Sequence, residues 1–567
     1  MTTHNPEENG FWLRAKNGAP LSAFSYLPEH PRAAVLVCNA FAEERKGCLK
    51  PLVDLSRRLA ANGIAVLRFD YSGCGDSAGA FGDGGLDAWR DDLAVAAQAL
   101  AGIIPSGLPT IWLGVRAGAA LALDVAANNN EVPAPSAIVL WEPVDGASFV
   151  KQLVQRNRIN TMIAYGKAKM SLDEIESAWA SGEAVDLDGY LFPSRLVSDL
   201  RKMGPVPVSC AGAVFKLGTD PKPSAAIKGA CPHFEEQALR LPPFWNTVGQ
   251  VDVSNLLDAT EKWIISAVEK TGSVPVSPAQ KMGPVPVLMD GLRQVAVDGP
   301  KGIIRGILHL PDGKNGAPLS GAFLFLHGWS GDKSGPHGMF TAAAARLAKS
   351  GNACLRIDFG GRGASDGLAS EASIARMAEE ARSAVRWLRS NPETAELPMT
   401  VIALCSGCKV AITLAANEPS IQRLVLWSAE SMGGLRDSAT GWRKTRAALL
   451  AYARKLCRLE TWKKIVKRQV KADMVGKALT AHETRSPEEA RAEDRTLKLF
   501  RGFKGKILFA YGGSDPDAPG SSKAYQRFCA RNHIDATHIQ IEHAGHSYYA
   551  TDWKEELLTK TMGWIGK

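Results

Sequence analysis

Short apolar runs alternate with longer amphipathic stretches along the chain, and the same order of runs appears twice. The apolar runs have the length and bounding residues of buried strands, and they lie at 34–38, 63–69, 111–113 and 138–141, and again at 322–326, 351–357, 401–404 and 424–427. Helical periodicity over 86–100 and 373–390 supplies the crossovers that parallel strands require. The pattern predicts an α/β fold with two domains, each a doubly wound, mostly parallel sheet.

The domain boundaries follow from this repeat. A chain of 567 residues exceeds what one hydrophobic core usually supports. Periodicity is lost in 271–286, where Gly, Ser and Pro cluster. We therefore expect one domain over 1–270, a linker over 271–286 and a second domain over 287–567. An insertion interrupts each domain, at about 146–205 and about 431–499.

The segment from Val401 to Cys408 has the layout of a nucleophile elbow, in which a strand enters a tight turn that opens a helix. The residues two before and two after the nucleophile must be small in such a turn. With Cys405 as the nucleophile they are Ala403 and Gly407, whereas with Ser406 they are Leu404 and Cys408. The spacing favours Cys405, and Ser406 remains the alternative.

A ten-residue signature, D-[FY]-x-G-x-G-x-S-x-G, occurs in both halves, at 70–79 and 358–367. With it the chain resembles the α/β-hydrolase superfamily, which implies two tandem α/β-hydrolase domains, each with a helical lid. Residues 1–270 resemble the exosortase A system-associated hydrolase 2 subtype through Phe41-Ala-Glu-Glu44, Gly114-Val-Arg-Ala-Gly118, Leu140-Trp-Glu-Pro-Val144 and Pro243-Phe-Trp245. Residues 285–567 are similar to α/β-hydrolases with a cysteine nucleophile.

The second half holds a complete set of catalytic residues in the order nucleophile, acid and base that is expected for this fold. Asp515 follows the strand 506–511, where the family places its acid, and His546 follows Gly545 as in the family's Gly-His pair. The predicted triad is Cys405, Asp515 and His546, with Asp517 and His543 as rivals for the acid and the base. His546 would accept the thiol proton, and Asp515 would fix the imidazole tautomer.

An acyl-transfer site also needs donors for a developing oxyanion. The backbone N–H of Ser406, directly after the nucleophile, and that of Trp329, after His327-Gly328, are the expected donors. The C-x-x-C pair of Cys405 and Cys408 has no second pair to complete a zinc site, so neither a metal nor a cofactor is expected. Whether these two cysteines form a redox pair stays open.

The first half has the glycines of the elbow but lacks the residue types that catalysis requires. The repeat sets Arg116 opposite Cys405, and the guanidinium stays protonated and cannot attack a carbonyl. Asn39-Ala40 replaces His-Gly, and Pro243 stands where the histidine is expected. We predict a pseudo-hydrolase domain without a catalytic role, in which buried Arg116 pairs with Glu43 or Glu44. Arg116 as the binding site of an anionic ligand is the alternative.

Composition limits the location and the partners. Apolar residues make up 45% of the chain without a run long enough to span a bilayer, and the polar start does not resemble a signal peptide, so a cytoplasmic protein with reduced cysteines is expected. The net charge of +9 comes without a nucleic-acid-binding motif. The basic residues of 431–499 are either a solvated face or a surface for an acidic acyl-carrier protein or a coenzyme A thioester.

The predicted function is acyl transfer through an acyl-cysteine intermediate, as an esterase or thioesterase. Transfer of an acyl or aminoacyl group between carrier-protein or coenzyme A thioesters and another acceptor is the runner-up, since a thioester exchanges readily with thiols. A carrier-docking scaffold without catalysis is the third alternative.

Overall fold

The computed structural model describes residues 6–129, 131–165, 168–204, 212–219, 227–228, 233–247, 251–270, 291–311, 318–435 and 486–566. The chain forms two compact units, Met1–Leu397 with Tyr548–Lys567, and Pro398–Ser547. The predicted linker, 271–286, and residues 436–485 of the predicted basic lid lie outside the described residues.

The first sheet lies in the first unit and comprises eight strands. They are β1 (Glu7–Arg14), β2 (Pro20–Leu27), β3 (Ala33–Cys38), β4 (Ile64–Phe69), β5 (Thr110–Val115), β6 (Ala137–Trp141), β9 (Ala213–Gly218) and β10 (Phe234–Ala238). The helices that follow its strands are α1 (Glu44–Ala61), α2 (Gly85–Ile103), α3 (Ala117–Asn128) and α7 (Ser254–Lys270). The insertion after β6 contains α4 (Gly146–Tyr165), α5 (Leu172–Ala180), the hairpin of β7 (Ala184–Leu187) and β8 (Tyr190–Pro193), and α6 (Ser194–Lys202).

The strand order of this sheet is β1-β2-β4-β3-β5-β6-β9-β10. The pairs β1–β2 and β2–β4 are antiparallel, and the following pairs are parallel. All six residues of β3 are buried, as a continuous apolar run covered on both faces by helices should be, and β4 is buried throughout although it contains Arg68.

The same design begins again within the first unit and continues in the second. The first unit holds β11 (Leu292–Gly299), β12 (Gly302–His309), β13 (Ala322–Leu326), α8 (Met339–Lys349), β14 (Ala353–Ile357) and α9 (Ile374–Ser390), with the strand order β11-β12-β14-β13. The second unit holds β15 (Met399–Leu404), α10 (Gly407–Ala415), β16 (Ile421–Trp427), α11 (Pro487–Phe500), β17 (Lys506–Gly512), α12 (Ala518–Arg531) and β18 (Asp535–Ile541). Helix α13 (Thr551–Ile565) belongs to the first unit.

Strands β15 to β18 run parallel in the order β15-β16-β17-β18. All six residues of β15 are buried. Helix α11 begins at a capping box, in which Ser486 and Glu489 each bond the other's backbone N–H, an arrangement that satisfies two donors of the first turn. The predicted fold class, two mostly parallel α/β sheets with helices, is confirmed. Among the described helices, none is long and apolar enough to cross a bilayer.

Within the first unit, a buried group of charges joins the two halves of the repeat. The guanidinium of Arg45 contacts Asp70 at 2.7 Å and Asp332 at 3.2 Å. Asp76, in the first signature turn, contacts Lys333 at 3.1 Å and Arg356 at 2.8 Å. Burial raises the pKa of Asp76, but these cations outweigh it and hold the pKa below its usual range. The Asp76 carboxylate therefore remains charged in the interior.

The signature serines are structural in both halves. The Ser77 hydroxyl donates to the backbone oxygen of Asp70 at 2.5 Å, and the Ser365 hydroxyl donates to that of Asp358 at 2.6 Å. Each serine thus closes its turn on the aspartate that begins the signature.

Candidate active site

The turn between β15 and α10 is an elbow with Cys405 at its apex. Cys405 has a φ of 58°, in the left-handed region that disfavours a side chain, whereas Ser406 has a φ of −62° and continues into α10. The backbone N–H of Cys405 donates to the oxygen of Trp427 at 3.0 Å. Cys405 is partly exposed while Ser406 is 8% exposed, so the elbow geometry belongs to the thiol.

His546 and Asp515 meet beyond the carboxyl ends of β18 and β17. The Nδ1 atom of His546 lies 2.8 Å from Oδ2 of Asp515, and Asp515 is 4% exposed. The other oxygen of Asp515 accepts the backbone N–H of Asp517 at 3.0 Å. The hydroxyl of Ser428 donates to the backbone oxygen of His546 at 2.8 Å. These bonds fix both the carboxylate and the backbone that carries the imidazole.

The structure brings Cys405 and His546 together and adds a third residue, Glu430. The sulfur of Cys405, a ring nitrogen of His546 and a carboxylate oxygen of Glu430 all lie within 4.8 Å of one another. Cys405 Sγ is 3.6 Å from Oε1 of Glu430. Burial lowers the pKa of His546, but hydrogen bonds with Asp515 and Cys405 outweigh it and raise the pKa to about 10. The imidazole is therefore protonated at neutral pH when it faces Cys405.

Lys409 holds Glu430 in its ionised form. Its Nζ lies 2.9 Å from Oε2 of Glu430 and 3.8 Å from Oε1 of Glu493, and its side chain is 8% exposed. Burial raises the pKa of Glu430, but the charge and hydrogen bond of Lys409, together with His546 and Cys405, outweigh it and lower the pKa. Glu430 is thus a carboxylate beside the thiol.

Glu430 and Lys409 were not among the sequence-predicted site residues. The available signal was the position of Glu430 three residues after β16, the strand next to the elbow strand, because side chains beyond the carboxyl ends of neighbouring parallel strands converge. Lys409 carried no comparable signal, since a lysine two residues into a helix is usually solvated.

The remaining predicted residues lie as follows. His543 is exposed, and Asp517 supports Asp515 through its backbone. The thiol of Cys408 is buried and donates to the backbone oxygens of Ala403 at 3.4 Å and Trp427 at 3.3 Å; burial raises its pKa. Trp329, one of the two predicted oxyanion donors, belongs to the first unit and is 43% exposed.

The first half has the same elbow with Arg116 at its apex. Arg116 has a φ of 55°, and its backbone N–H donates to the oxygen of Trp141 at 2.9 Å, as that of Cys405 does to Trp427. A Cβ at Gly118 would come within 2.0 Å of the backbone oxygen of Asn39, so only glycine fits there. The turn has kept its shape while its apex holds a group that cannot act as a nucleophile.

Arg116 is paired with Glu44. Its Nε and Nη2 atoms lie 3.2 and 3.3 Å from the two oxygens of Glu44, and both residues are buried. Nη2 also donates to Gln152 at 2.6 Å, and the guanidinium lies over the ring of Trp245 at 4.2 Å. Glu43, the other predicted partner, accepts from Tyr190 at 3.1 Å.

Two family models match this chain. A model described as serine aminopeptidase, S33, matches residues 29–170, where the elbow residue is Arg116. A model described as alpha/beta hydrolase family matches residues 323–559, which contain Cys405, Asp515 and His546. Together with the two mostly parallel sheets, these matches support two tandem domains of the α/β-hydrolase fold in one chain. A comparison with curated proteins found no match.

The chain is also similar to solved hydrolase structures. A dienelactone hydrolase from Anabaena variabilis ATCC 29413 is 17% identical, with 48% of this chain and 97% of that chain covered and a TM-score of 0.32. An esterase from Pyrococcus furiosus is 18% identical, with 49% and 91% covered and a TM-score of 0.36. Est1E from Butyrivibrio proteoclasticus, with ferulic acid bound, is 17% identical, with 48% and 100% covered and a TM-score of 0.33.

Proposed function

We propose that the protein is an acyl-transfer enzyme that cleaves an ester or thioester through an acyl-Cys405 intermediate. One observation carries the proposal: Cys405 occupies the apex of the elbow, beside a histidine whose other nitrogen is bonded to a buried aspartate at 2.8 Å. An imidazole held in this way takes the thiol proton and leaves a thiolate, which is the nucleophilic form of cysteine.

The chemistry follows from these contacts. The Cys405 sulfur attacks the acyl carbonyl carbon, and the carbonyl π-bond electrons move to the oxygen. We expect the backbone N–H of Ser406, directly after the nucleophile, to donate a hydrogen bond to this oxyanion. The C–O or C–S bond to the leaving group then breaks, and His546 returns the proton to that group. Water, deprotonated by His546, next attacks the thioester and releases the carboxylic acid and Cys405. Asp515 stabilises the imidazolium throughout and does not transfer a proton.

Glu430 favours a second candidate, transfer of an aminoacyl group. Its ionised carboxylate lies 3.6 Å from Cys405 Sγ. A cationic ammonium group on the bound acyl chain would therefore be attracted, and an anionic group at the same position would be repelled. A thioester intermediate also reacts readily with thiols, which makes a carrier thiol a suitable acceptor in place of water.

The experiment is intact-protein mass spectrometry after incubation with neutral acyl thioesters, aminoacyl thioesters and p-nitrophenyl esters. We expect a single acyl adduct on Cys405 that decays in buffer as the free acid appears. If the adduct decays only when a thiol is added, and the acyl group is recovered on that thiol, the protein is a transferase rather than a hydrolase.

Cys408→Ala is the matched control, because it removes from the same turn a buried thiol that bonds backbone oxygens rather than His546 or Glu430. An adduct that persists in Cys405→Ala, or the absence of adduct and turnover with every substrate, would refute the proposal.

A further inference from the structure

Three side chains distant in sequence present metal-binding atoms to one point. The sulfur of Cys405, a carboxylate oxygen of Glu430 and a ring nitrogen of His546 all lie within 4.8 Å of one another. Within the described residues this is the one cluster of three such donors. All three residues are partly exposed, so an ion can reach them from solvent.

The distances suit a tetrahedral centre. Metal–ligand bonds of about 2.0 to 2.3 Å set neighbouring donors roughly 3.5 Å apart around zinc. Cys405 Sγ and Glu430 Oε1 are already 3.6 Å apart. The ring nitrogen of His546 lies within 4.8 Å of the other two atoms, so a side-chain shift of about an ångström would bring it to the same spacing. Water would occupy the fourth position of the metal.

The histidine has the support that metal-binding histidines usually have. Its Nδ1 is bonded to Asp515 at 2.8 Å, so Nε2 is the nitrogen directed to the cluster. A carboxylate on the far nitrogen fixes the tautomer and raises the basicity of the ligating nitrogen. Buried Asp515 is therefore placed for either role of His546, as a base or as a ligand.

The charges of the cluster favour a divalent cation. A thiolate and the Glu430 carboxylate supply two negative charges against the two positive charges of the ion. Cysteine binds a metal as the thiolate, so its proton leaves for solvent on binding. Lys409 occupies Oε2 of Glu430 at 2.9 Å and leaves Oε1 facing the thiol.

We propose that Cys405, Glu430 and His546 form a three-ligand site for a thiophilic divalent cation such as Zn²⁺, and that the bound ion blocks the thiol. Formation of the site does not depend on the function proposed above, whereas inhibition by the ion rests on it. Thiolate and imidazole ligands select zinc over magnesium or calcium, which prefer oxygen ligands only.

The test is calorimetric titration of the metal-free full-length chain with ZnCl₂, and of the variants Cys405→Ala, Glu430→Gln and His546→Ala. We expect one ion per chain and a loss of affinity of about tenfold or more in each variant, as ligand and supporting residues of zinc sites show. Titration with Co²⁺ should give a sulfur-to-metal charge-transfer band that Cys405→Ala abolishes. Exposed His543→Ala and buried Cys408→Ala are the controls and should bind as the wild type does.

Alkylation of Cys405 by iodoacetamide, measured by mass spectrometry, gives an independent readout. Zn²⁺ should protect the thiol from alkylation in the wild type but not in Glu430→Gln. No binding, binding that all variants retain, or binding that needs Cys405 and His546 but not Glu430 would each overturn the three-ligand site. Acyl adducts are measured separately with a chelator present. An adduct without zinc binding refutes this inference alone, and zinc binding without an adduct refutes the proposed function alone.

Discussion

Removal of Arg116 should destabilise the protein without affecting the chemistry at Cys405. Arg116→Ala leaves the Glu44 carboxylate buried without its cation, and it also removes the bond to Gln152 and the stacking on Trp245. Breaking a buried pair in this way costs about 3 to 5 kcal/mol. At about 2 to 4 °C per kcal/mol for a large domain, the melting temperature should fall by roughly 6 to 20 °C.

The assay is thermal and urea unfolding followed by tryptophan fluorescence, with acylation of Cys405 measured in the folded fraction. Arg116→Met combined with Glu44→Leu should recover most of the loss, because apolar side chains of similar volume replace buried ion pairs well. Arg201→Ala is the control, since its pair with Glu176 is exposed and should be worth under about 1 kcal/mol. Arg116→Ala with unchanged unfolding and lost activity would refute the structural role and indicate a ligand site.

The other predictions concern the base and its support. His546→Ala should slow acylation by about 100-fold or more, the usual contribution of a general base. Substitution of the exposed His543 by Ala should leave the acylation rate unchanged. Equal acylation rates in the two variants, measured by rapid-quench mass spectrometry, would show that His546 is not the base. Asp515→Asn should lower the pKa of His546 from about 10, because the hydrogen bond with Asp515 is among the contacts that raise it. Asp517→Asn should leave the pKa of His546, followed by NMR titration, unchanged. A larger shift in Asp517→Asn than in Asp515→Asn would contradict Asp515 as the acid of the triad.

The fold class was accessible from the sequence because the central strands are short, largely apolar runs. Strands β3 and β15 are buried on both faces, so hydrophobicity alone marks them, and the tight turns need glycine at fixed spacing. The repeat then allowed one half to be compared with the other, which set Arg116 opposite Cys405. The two have nearly equal φ values, 55° and 58°, and the same backbone hydrogen bond.

The detail of the site was less accessible, because it depends on contacts between residues far apart in the chain. Glu430 meets Cys405 only when the carboxyl ends of β15 and β16 lie side by side, and Lys409 reaches Glu430 from the first turn of α10. The choice of Glu44 over Glu43 depends on the direction in which α1 starts. Both glutamates precede or begin that helix, and only the folded chain turns Glu44 toward Arg116 and Glu43 toward Tyr190.

The central claim is that Cys405 forms the covalent intermediate, and the most direct measurement is the intact mass of Cys405→Ala and Ser406→Ala after exposure to a reactive acyl thioester. We expect Cys405→Ala to gain no acyl mass and not to turn over, while Ser406→Ala retains much of both, because the strained apex with its partner histidine belongs to residue 405. An adduct in Cys405→Ala together with its loss in Ser406→Ala would contradict the account and transfer the nucleophile to the hydroxyl.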